Sequence, residues 1–534
     1  MRITNKIIQN NSLYNININK ENEDTLNTKM ATGKKITRPS EDPVIAIRAL
    51  RLRSSLADIT QYNDKNAEDA ESWLDVTEGS LKTIYDQLED MYEQCNTGVN
   101  SYLSTENRNA VVAALKQLRY SVYDAGNADY AGRSVFTGYR TGMTLTFPEQ
   151  EEKQYTITEA RDATFLDDIT FIQTEKQTGG TKECMTDINA GNYQTSTLTE
   201  QDMSTTTIHR IRLAYNNLDT DVDVSSKDGG QALTFKYWGE TGWTTMGDDA
   251  GEIETVSLYG TDNPYEKMAE YNKTHAGATA ADYAIFVPET GELLLSDSMY
   301  AKLNATKDNP KTDNKDEGRI SITYSKTKWE KGDLKPEHYF YCESDKIKYN
   351  EEKLGVRDTR QDICYDLGSN QDIQVNTLAE DAIVHAIGRD VDDIIQAIED
   401  VEKMEQTIKS LESASPESDT DKETLQRNLD AANKALTYLQ DKLKNLFEGG
   451  ITKMQGHMDR VVLAQTDLGT RGSKLDLVKK RLSDEKTTFK ELVKENEQVD
   501  TAEVATDLAS AKNAYDAALM ATSKVIQNSL MNYI

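Results

Sequence analysis

Cysteine, proline and long apolar runs are all scarce in this chain of 534 residues, which holds 4 Cys and 8 Pro. Cys95, Cys184, Cys342 and Cys364 form no C-x-x-C pair, which argues against a zinc ribbon or a redox motif. Their density is also too low for a secreted disulfide framework, so isolated thiols are expected. No stretch of about 18 apolar residues occurs, so no membrane insertion is expected. The opening MRITNKIIQNNSLYNININKENEDT has no apolar centre of the kind a secretory signal needs. The chain therefore reads as cytoplasmic, or as exported by a route without a cleaved signal. Aromatic residues are only 7% and mean hydropathy is −0.69, a balance that suits long solvent-exposed helices better than one compact globule. Positive charge is short as well: 61 Lys and Arg face 91 Asp and Glu, a formal net charge of −30. That sign repels nucleic acid and anionic membranes, so neither is expected as a partner.

Signatures of catalysis are missing too. None of His209, His275, His338, His385 and His457 belongs to an H-E-x-x-H helix, and no G-x-S-x-G nucleophile turn occurs. The stretch ATGKKITRPSEDP (31–43) begins like a phosphate loop, but Thr28 stands where glycine is needed and Lys35 where a hydroxyl is needed. DTDVDVSSKDGG (219–230) suggests a calcium loop, yet Val224 replaces the turn glycine and Gly230 the bidentate glutamate. Against 91 acidic residues, chance carboxylate pairs say nothing about glycoside hydrolysis. The expectation is no enzyme, no metal and no cofactor.

What is present is helical periodicity at both ends. Residues 1–30 are rich in asparagine, a poor helix former, with a weak stripe of Ile3, Ile7, Asn10, Tyr14 and Ile18 that would need a partner to order it. Arg38 precedes Pro39 and is biased to an extended conformation, while Pro43 suits a first helical turn capped by Asp42 or Ser40. From Pro43 a seam of Leu52, Leu56, Ile59, Asn63, Asn66, Ala70, Trp73 and Thr77 steps by four and three. It resumes as Leu81, Ile84, Leu88, Met91 and Cys95 after a stutter beside Gly79. One helix over 43–95 would run about 80 Å. A second is expected over 105–128.

Residues 130–375 alternate Thr, Tyr, Val and Ile between turns, as in EKQYTITEA, DYAIFVPETGELLLSD and GRISITYSK, and read as a β-rich insertion of two subdomains. Helices return near 376, with a break at ASPESDTD, a stop at Gly449–Gly450, and a run to the end. In that run Leu475, Val478, Leu482, Phe489, Leu492, Asn496 and Val499 share a seam. After Asp500 the register shifts to Val504, Leu508, Ala511, Tyr515, Ala518 and Thr522. The predicted fold class is α+β: a long antiparallel helical coiled-coil rod from both termini, carrying a β-rich central domain. Leu52, Leu56, Ile59, Leu81, Ile84 and Leu88 should pack against the returning helices. Residues 29–53 carry net charge +5 and residues 484–507 net −5, so the two stretches suit docking within or between subunits.

Three separated motifs in order, LNTKMATGKKITRPSEDPVIAIRALRLRS (26–54), NADYAGRSVFTGYRT (127–141) and the helix of 467–534, resemble the flagellin family, and within it the branch that joins hook to filament. The likeness covers about residues 1–145 and 355–534. Arg38, Pro39, Ser40, Asp42 and Pro43 match that branch's hinge, and Gly132, Phe136 and Gly138 its turn; Glu41 replaces the more usual aspartate. The resemblance implies a structural subunit that forms the hook–filament junction and supports filament growth. Filament flagellin is the alternative, and a cytosolic coiled-coil scaffold a more distant one. It implies self-assembly into a ring beside a neighbouring hook-associated protein and flagellin, and an export chaperone on the C-terminal helix. It also implies an extracellular place in the flagellum. The domains so implied are 1–40, a terminal assembly helix and hinge disordered in the monomer; 41–185, the first half of the rod with a hairpin region; 186–350, a variable outer domain; 351–495, the returning rod; and 496–534, a C-terminal assembly helix. The assembly interface is assigned to Ile3, Ile7, Tyr14, Leu508, Tyr515, Leu519, Val525 and Ile526, and the hinge to Arg38, Pro39, Asp42 and Pro43.

Overall fold

The computed structural model describes residues 5–99, 104–178, 181–222, 224, 232–239, 242–247, 250–275, 281–305, 320–350, 361–368 and 370–531. Among them the helices are α1 (Asn5–Thr32), α2 (Pro43–Gln61), α3 (Glu68–Gly98), α4 (Thr105–Ala125), α5 (Pro264–Thr274), α6 (Asp297–Ala305), α7 (Ala379–Ala382), α8 (His385–Glu412), α9 (Asp419–Glu497) and α10 (Thr501–Met531). The fold class is α+β, with long helices at both ends and a β-rich middle. None of the described helices is long and apolar enough to cross a membrane. The chain divides into two compact units: residues 1–71, 364–373 and 471–534 form a terminal unit, and residues 72–363 and 374–470 a central unit.

In the terminal unit α1 packs along α10. On α10 the positions Val504, Leu508, Ala511, Tyr515, Ala518 and Thr522 are buried or half-buried, with Ala505 beside them, and their four–three stepping keeps one stripe against a neighbouring helix. On α1 the half-buried positions among the described side chains are Ser12, Ile16, Asn19, Glu23, Leu26 and Lys29, a mostly polar stripe. The single helix expected over 43–95 is interrupted by a π-turn at Tyr62–Ala67. The wider turn admits one extra residue, and side chains hold it in place. Asn63 donates to Asp64 (2.7 Å), Lys486 on α9 donates to Asp64, and Asn66 donates to the Asp366 carbonyl at 2.7 Å on a short hairpin. Leu492, expected on the α9 seam, is 40% exposed, and Val493 is half-buried in its place.

Among the described residues the central unit is built on two larger sheets, beside two-stranded hairpins at 129–134 and 175–184. A six-stranded sheet runs in the order Ile347–Tyr349, Tyr341–Ser344, Glu151–Arg161, Ile320–Trp329, Leu233–Gly239, Gly242–Thr245, all antiparallel. A five-stranded sheet runs Glu252–Thr255, Tyr283–Val287, Glu292–Leu295, Ser204–Arg212, Leu166–Gln173, with its first pair parallel. Alternation explains the strands: Ile320, Ile322 and Tyr324 point inward, and a bulge between Lys326 and Lys328 precedes the buried Trp329. Trp329 stacks on Phe147 with centroids 4.8 Å apart, meets Tyr155 and Tyr215 edge-on, and donates its indole N–H to the Lys153 carbonyl.

Both sheets mix early and late strands, which corrects the expected border between residues 185 and 186. Strand 151–161 pairs with 320–329, and strand 166–173 with 204–212, so that border cuts through both sheets, and the two expected subdomains are interleaved along the chain. The border after residue 350 adjoins residues outside the described ones. The border at 495/496 falls within α9, two residues before its end. The expected stop at Gly449–Gly450 is absent, because α9 runs straight through it. A Cβ at Gly450 would lie 3.2 Å from Cys95 Sγ and 3.4 Å from Ile394 Cδ1, so the glycine lets α9 approach α3 and α8 closely. Tertiary contact outweighs the roughly 1 kcal/mol helix penalty of glycine. Nearby, Asp390 on α8 is a buried hub that accepts from Arg212 (2.7 Å), Lys453 (3.0 Å) and His457 (3.0 Å), joining the five-stranded sheet to both helices.

Candidate assembly surface

The terminal unit turns on two short links that run side by side. Gly33, with φ +67, ends α1 in the left-handed conformation that glycine adopts without penalty, and its amide donates to the Lys29 carbonyl at 2.8 Å. The phosphate-loop-like ATGKK is therefore a helix end. Residues 33–35 then lie antiparallel to 497–499. The Lys35 amide donates to the Glu497 carbonyl (2.8 Å), and the Val499 amide donates to the Gly33 carbonyl (3.1 Å). Asp500 starts α10 by accepting from the amides of Ala502 and Glu503.

The hinge itself is closed by side chains. Glu41 accepts from both the amide and the hydroxyl of Thr37, each at 2.8 Å, and these bonds pull its carboxyl below the usual range. The longer glutamate thus spans the loop from 37 to 41. Asp42 occupies the N-cap of α2 with extended dihedrals and accepts from the amides of Val44 and Ile45, while Pro43 takes the first helical position. Arg53 forms a bidentate pair with Glu497, which raises the arginine's pKa, and Asn496 donates to the Ile45 carbonyl at 3.2 Å. The basic and acidic stretches read from the sequence thus meet within one subunit, at the pair Arg53–Glu497. Lys486 likewise holds Asp64 below the usual carboxylate range.

The residues assigned to the interface separate into groups. Leu508 and Tyr515 are half-buried on the internal stripe of α10, whereas Ile7, Tyr14 and Leu519 are 49%, 66% and 41% exposed. Ile3 lies outside the described residues, as do the side chains of Val525 and Ile526. Among the proposed core positions of the terminal unit, Ile59 is buried, while Leu52 and Leu56 are half-buried. Leu81, Ile84 and Leu88 are fully buried in the central unit. Sequence reasoning passed over other apolar side chains left in solvent: Leu13, Met520, and Val44, Ile47 and Leu50 on α2. The i, i+3, i+6 spacing of the last three was the available signal. A surface with this much exposed apolar area suits helix-to-helix association.

Comparison with known proteins bears on this helix–hinge–helix arrangement. Residues 3–141 match the bacterial flagellin N-terminal helical region. The chain thus carries a flagellin-type N-terminal helical region in about its first quarter. The chain is also similar to flagellar hook-associated protein 3. It is 29% identical to the Escherichia coli K12 protein over 126 residues, covering 23% of this chain and 39% of that one. It is 27% identical to the Salmonella typhimurium protein over 142 residues, covering 26% of this chain and 44% of that one. A flagellin of Clostridium tyrobutyricum is 24% identical over 144 residues, covering 27% of this chain and 38% of the flagellin. The chain spans about four-tenths of the length of these curated relatives.

Proposed function

We propose that this chain is a structural, non-enzymatic subunit of the bacterial flagellum that forms the junction between hook and filament and supports filament growth. The observation that carries the reading is the hinge within the flagellin-type region: Gly33 closes α1, Glu41 ties the loop, and Asp42 with Pro43 starts α2. In this reading the subunits self-assemble into a ring, between a neighbouring hook-associated protein and flagellin. Ile7, Tyr14 and Leu519, with Ile3, Val525 and Ile526, face the neighbouring subunits. Leu508 and Tyr515 act one step back, by holding α10 against α1. Residues 1–40 and 496–534 order only on assembly, the entropy cost being offset by apolar burial. A cytoplasmic chaperone holds the C-terminal helix before export.

The similarity to a flagellin supports a second reading, the filament subunit itself. Deleting the gene separates the two. Cells without filaments that shed flagellin into the medium are expected, because hooks and export remain while the junction is missing. Absent filaments with no shed flagellin would move the assignment to the filament protein. Normal filaments would overturn both and favour a coiled-coil scaffold.

A further inference from the structure

We propose that the two-stranded hairpin 175–184 is fastened to α5 by a proton-operated latch, made of Glu175 and Lys182 on the hairpin and Glu266 on the helix. Of the hairpin's strand residues only Cys184 is apolar. The hairpin therefore brings no hydrophobic face of its own, and charge decides how it docks.

The pairing register sorts those charges onto two sides. Glu175 lies opposite Cys184 and Gln177 opposite Lys182, so Glu175 and Lys182 share one side, and Lys176 and Glu183 the other. The second side is balanced: Lys176 donates to Asp202 at 3.1 Å, and Glu183 accepts from the amide and the hydroxyl of Thr197. The first side is not. Lys182 Nζ stands 2.7 Å from Glu175 Oε2 and 3.6 Å from Glu266 Oε2, so one ammonium serves two carboxylates. It also donates to the Thr261 carbonyl at 3.3 Å, just ahead of α5. The glutamate side chains are 12% and 21% exposed, too little for water to screen their repulsion fully.

A proton removes the excess charge. Protonated Glu266 donates its O–H to the Glu175 carboxylate, and the lysine then faces a single negative charge. Burial first, then the hydrogen bond and charge of Glu175, hold the Glu266 carboxyl up at about 7 against the pull of Lys182. Burial works to lower the Lys182 pKa, but the two glutamates outweigh it and keep the ammonium charged. Other charged groups around α5 have partners of their own. Lys267 pairs with Glu254, and on the strands beneath the helix Arg210 pairs with Glu292, Asp167 and Asp393, and His209 with Asp168. Glu270 stands one turn beyond Glu266 and adds repulsion, whereas the nearby start of α5 favours the ionised form, and Lys273 and His275 lie at its far end. An undocked glutamate titrates near about 4.3, so the docked state holds one more proton between there and about 7. Docking is strongest below that range and weakens as pH rises through it, by at most about tenfold per unit.

The test is hydrogen exchange on the full chain, with amide protection over 175–184 corrected for intrinsic rates at about pH 5 and about pH 8. Protection in the wild type should fall at least about tenfold between the two, while that of strand 204–212 stays constant within about twofold. Glu266→Gln, which keeps the shape of the protonated acid, should hold the hairpin's protection constant. Glu175→Gln, which leaves one glutamate to one lysine, should do the same, so the outcome does not rest on a single variant. Any one of three results would overturn the proposal: equal wild-type protection at the two pH values, an equal fall in strand 204–212, or a fall in both variants as large as in the wild type.

Discussion

The terminal and central units spend their apolar residues in opposite ways. In the central unit Trp329, Tyr324, Phe235, Phe286 and Leu294 are essentially inaccessible to solvent and pack between sheets and helices. In the terminal unit none of the described side chains of α1 is fully buried, and Ile7, Leu13, Tyr14, Ile18 and Met30 are all at least 37% exposed. Its inward stripe on α1 is carried by Ser12, Asn19 and Glu23 as much as by Ile16 and Leu26. A helix rich in asparagine with such a stripe gains little from packing on one partner. The contrast teaches that one unit is built to fold alone, while the other keeps apolar surface in reserve for further contacts.

The comparison is tested most severely by removing the core of the central unit. Trp329→Ala should lower that unit's stability by about 3–5 kcal/mol, read by chemical denaturation. A loss below about 1 kcal/mol would mean that the aromatic cluster does not hold the sheets together. Next comes the buried hub. Asp390→Asn should cost about 3 kcal/mol, because Arg212, Lys453 and His457 lose their shared charge. The wild type carries a pH signature of the same group. Its cationic partners hold the Asp390 carboxyl well below the usual range despite burial. A depressed native pKa contributes stability that is complete above the unfolded value, about 3.9, and fades as pH falls below it. The stability gap between the wild type and Asp390→Asn should therefore narrow as pH falls below that value, read by chemical denaturation at a series of pH values; a gap constant down to about pH 2 would remove Asp390 as its source.

Smaller effects belong to the terminal unit. Asp42→Ala removes the cap of α2 and should cost about 1 kcal/mol, seen as faster amide exchange over residues 43–46. Unchanged exchange there would mean that the hinge is held by Glu41 and Arg53 alone. Leu519→Asp should change monomer stability by no more than about 0.5 kcal/mol, since the side chain is already solvated. It should nevertheless abolish incorporation into the flagellum, scored by filament counts in complemented cells. Normal filaments would remove this face of α10 from the assembly interface.

Much of the helical pattern could be read one residue at a time. The positions 504, 508, 511, 515, 518 and 522 follow from period alone, and the break at Asp500 from the change of register. Proline at 43 and aspartate at 42 mark the start of α2 because capping depends only on adjacent atoms. Other features resisted. Gly449–Gly450 reads as a stop, since the reward for closeness comes from Cys95 and Ile394, far away in sequence. The π-turn at 62–67 depends on Lys486 and on a hairpin at 364–373. Ile7 and Tyr14 form a visible stripe on α1, but the half-buried positions are Ser12, Ile16, Asn19, Glu23, Leu26 and Lys29, which hydropathy does not pick out.

By itself the sequence determined the helical ends, the hinge between α1 and α2, the β-character of the middle and the strong negative charge. Each rests on interactions among neighbours a few positions apart, or on composition alone. Only the tertiary structure decided the strand order, the passage of α9 through its glycines, the outward face of α1 and the charge cluster between hairpin 175–184 and α5. Those depend on which distant segments come into contact, as when strand 151–161 pairs with 320–329, and no local period encodes that choice.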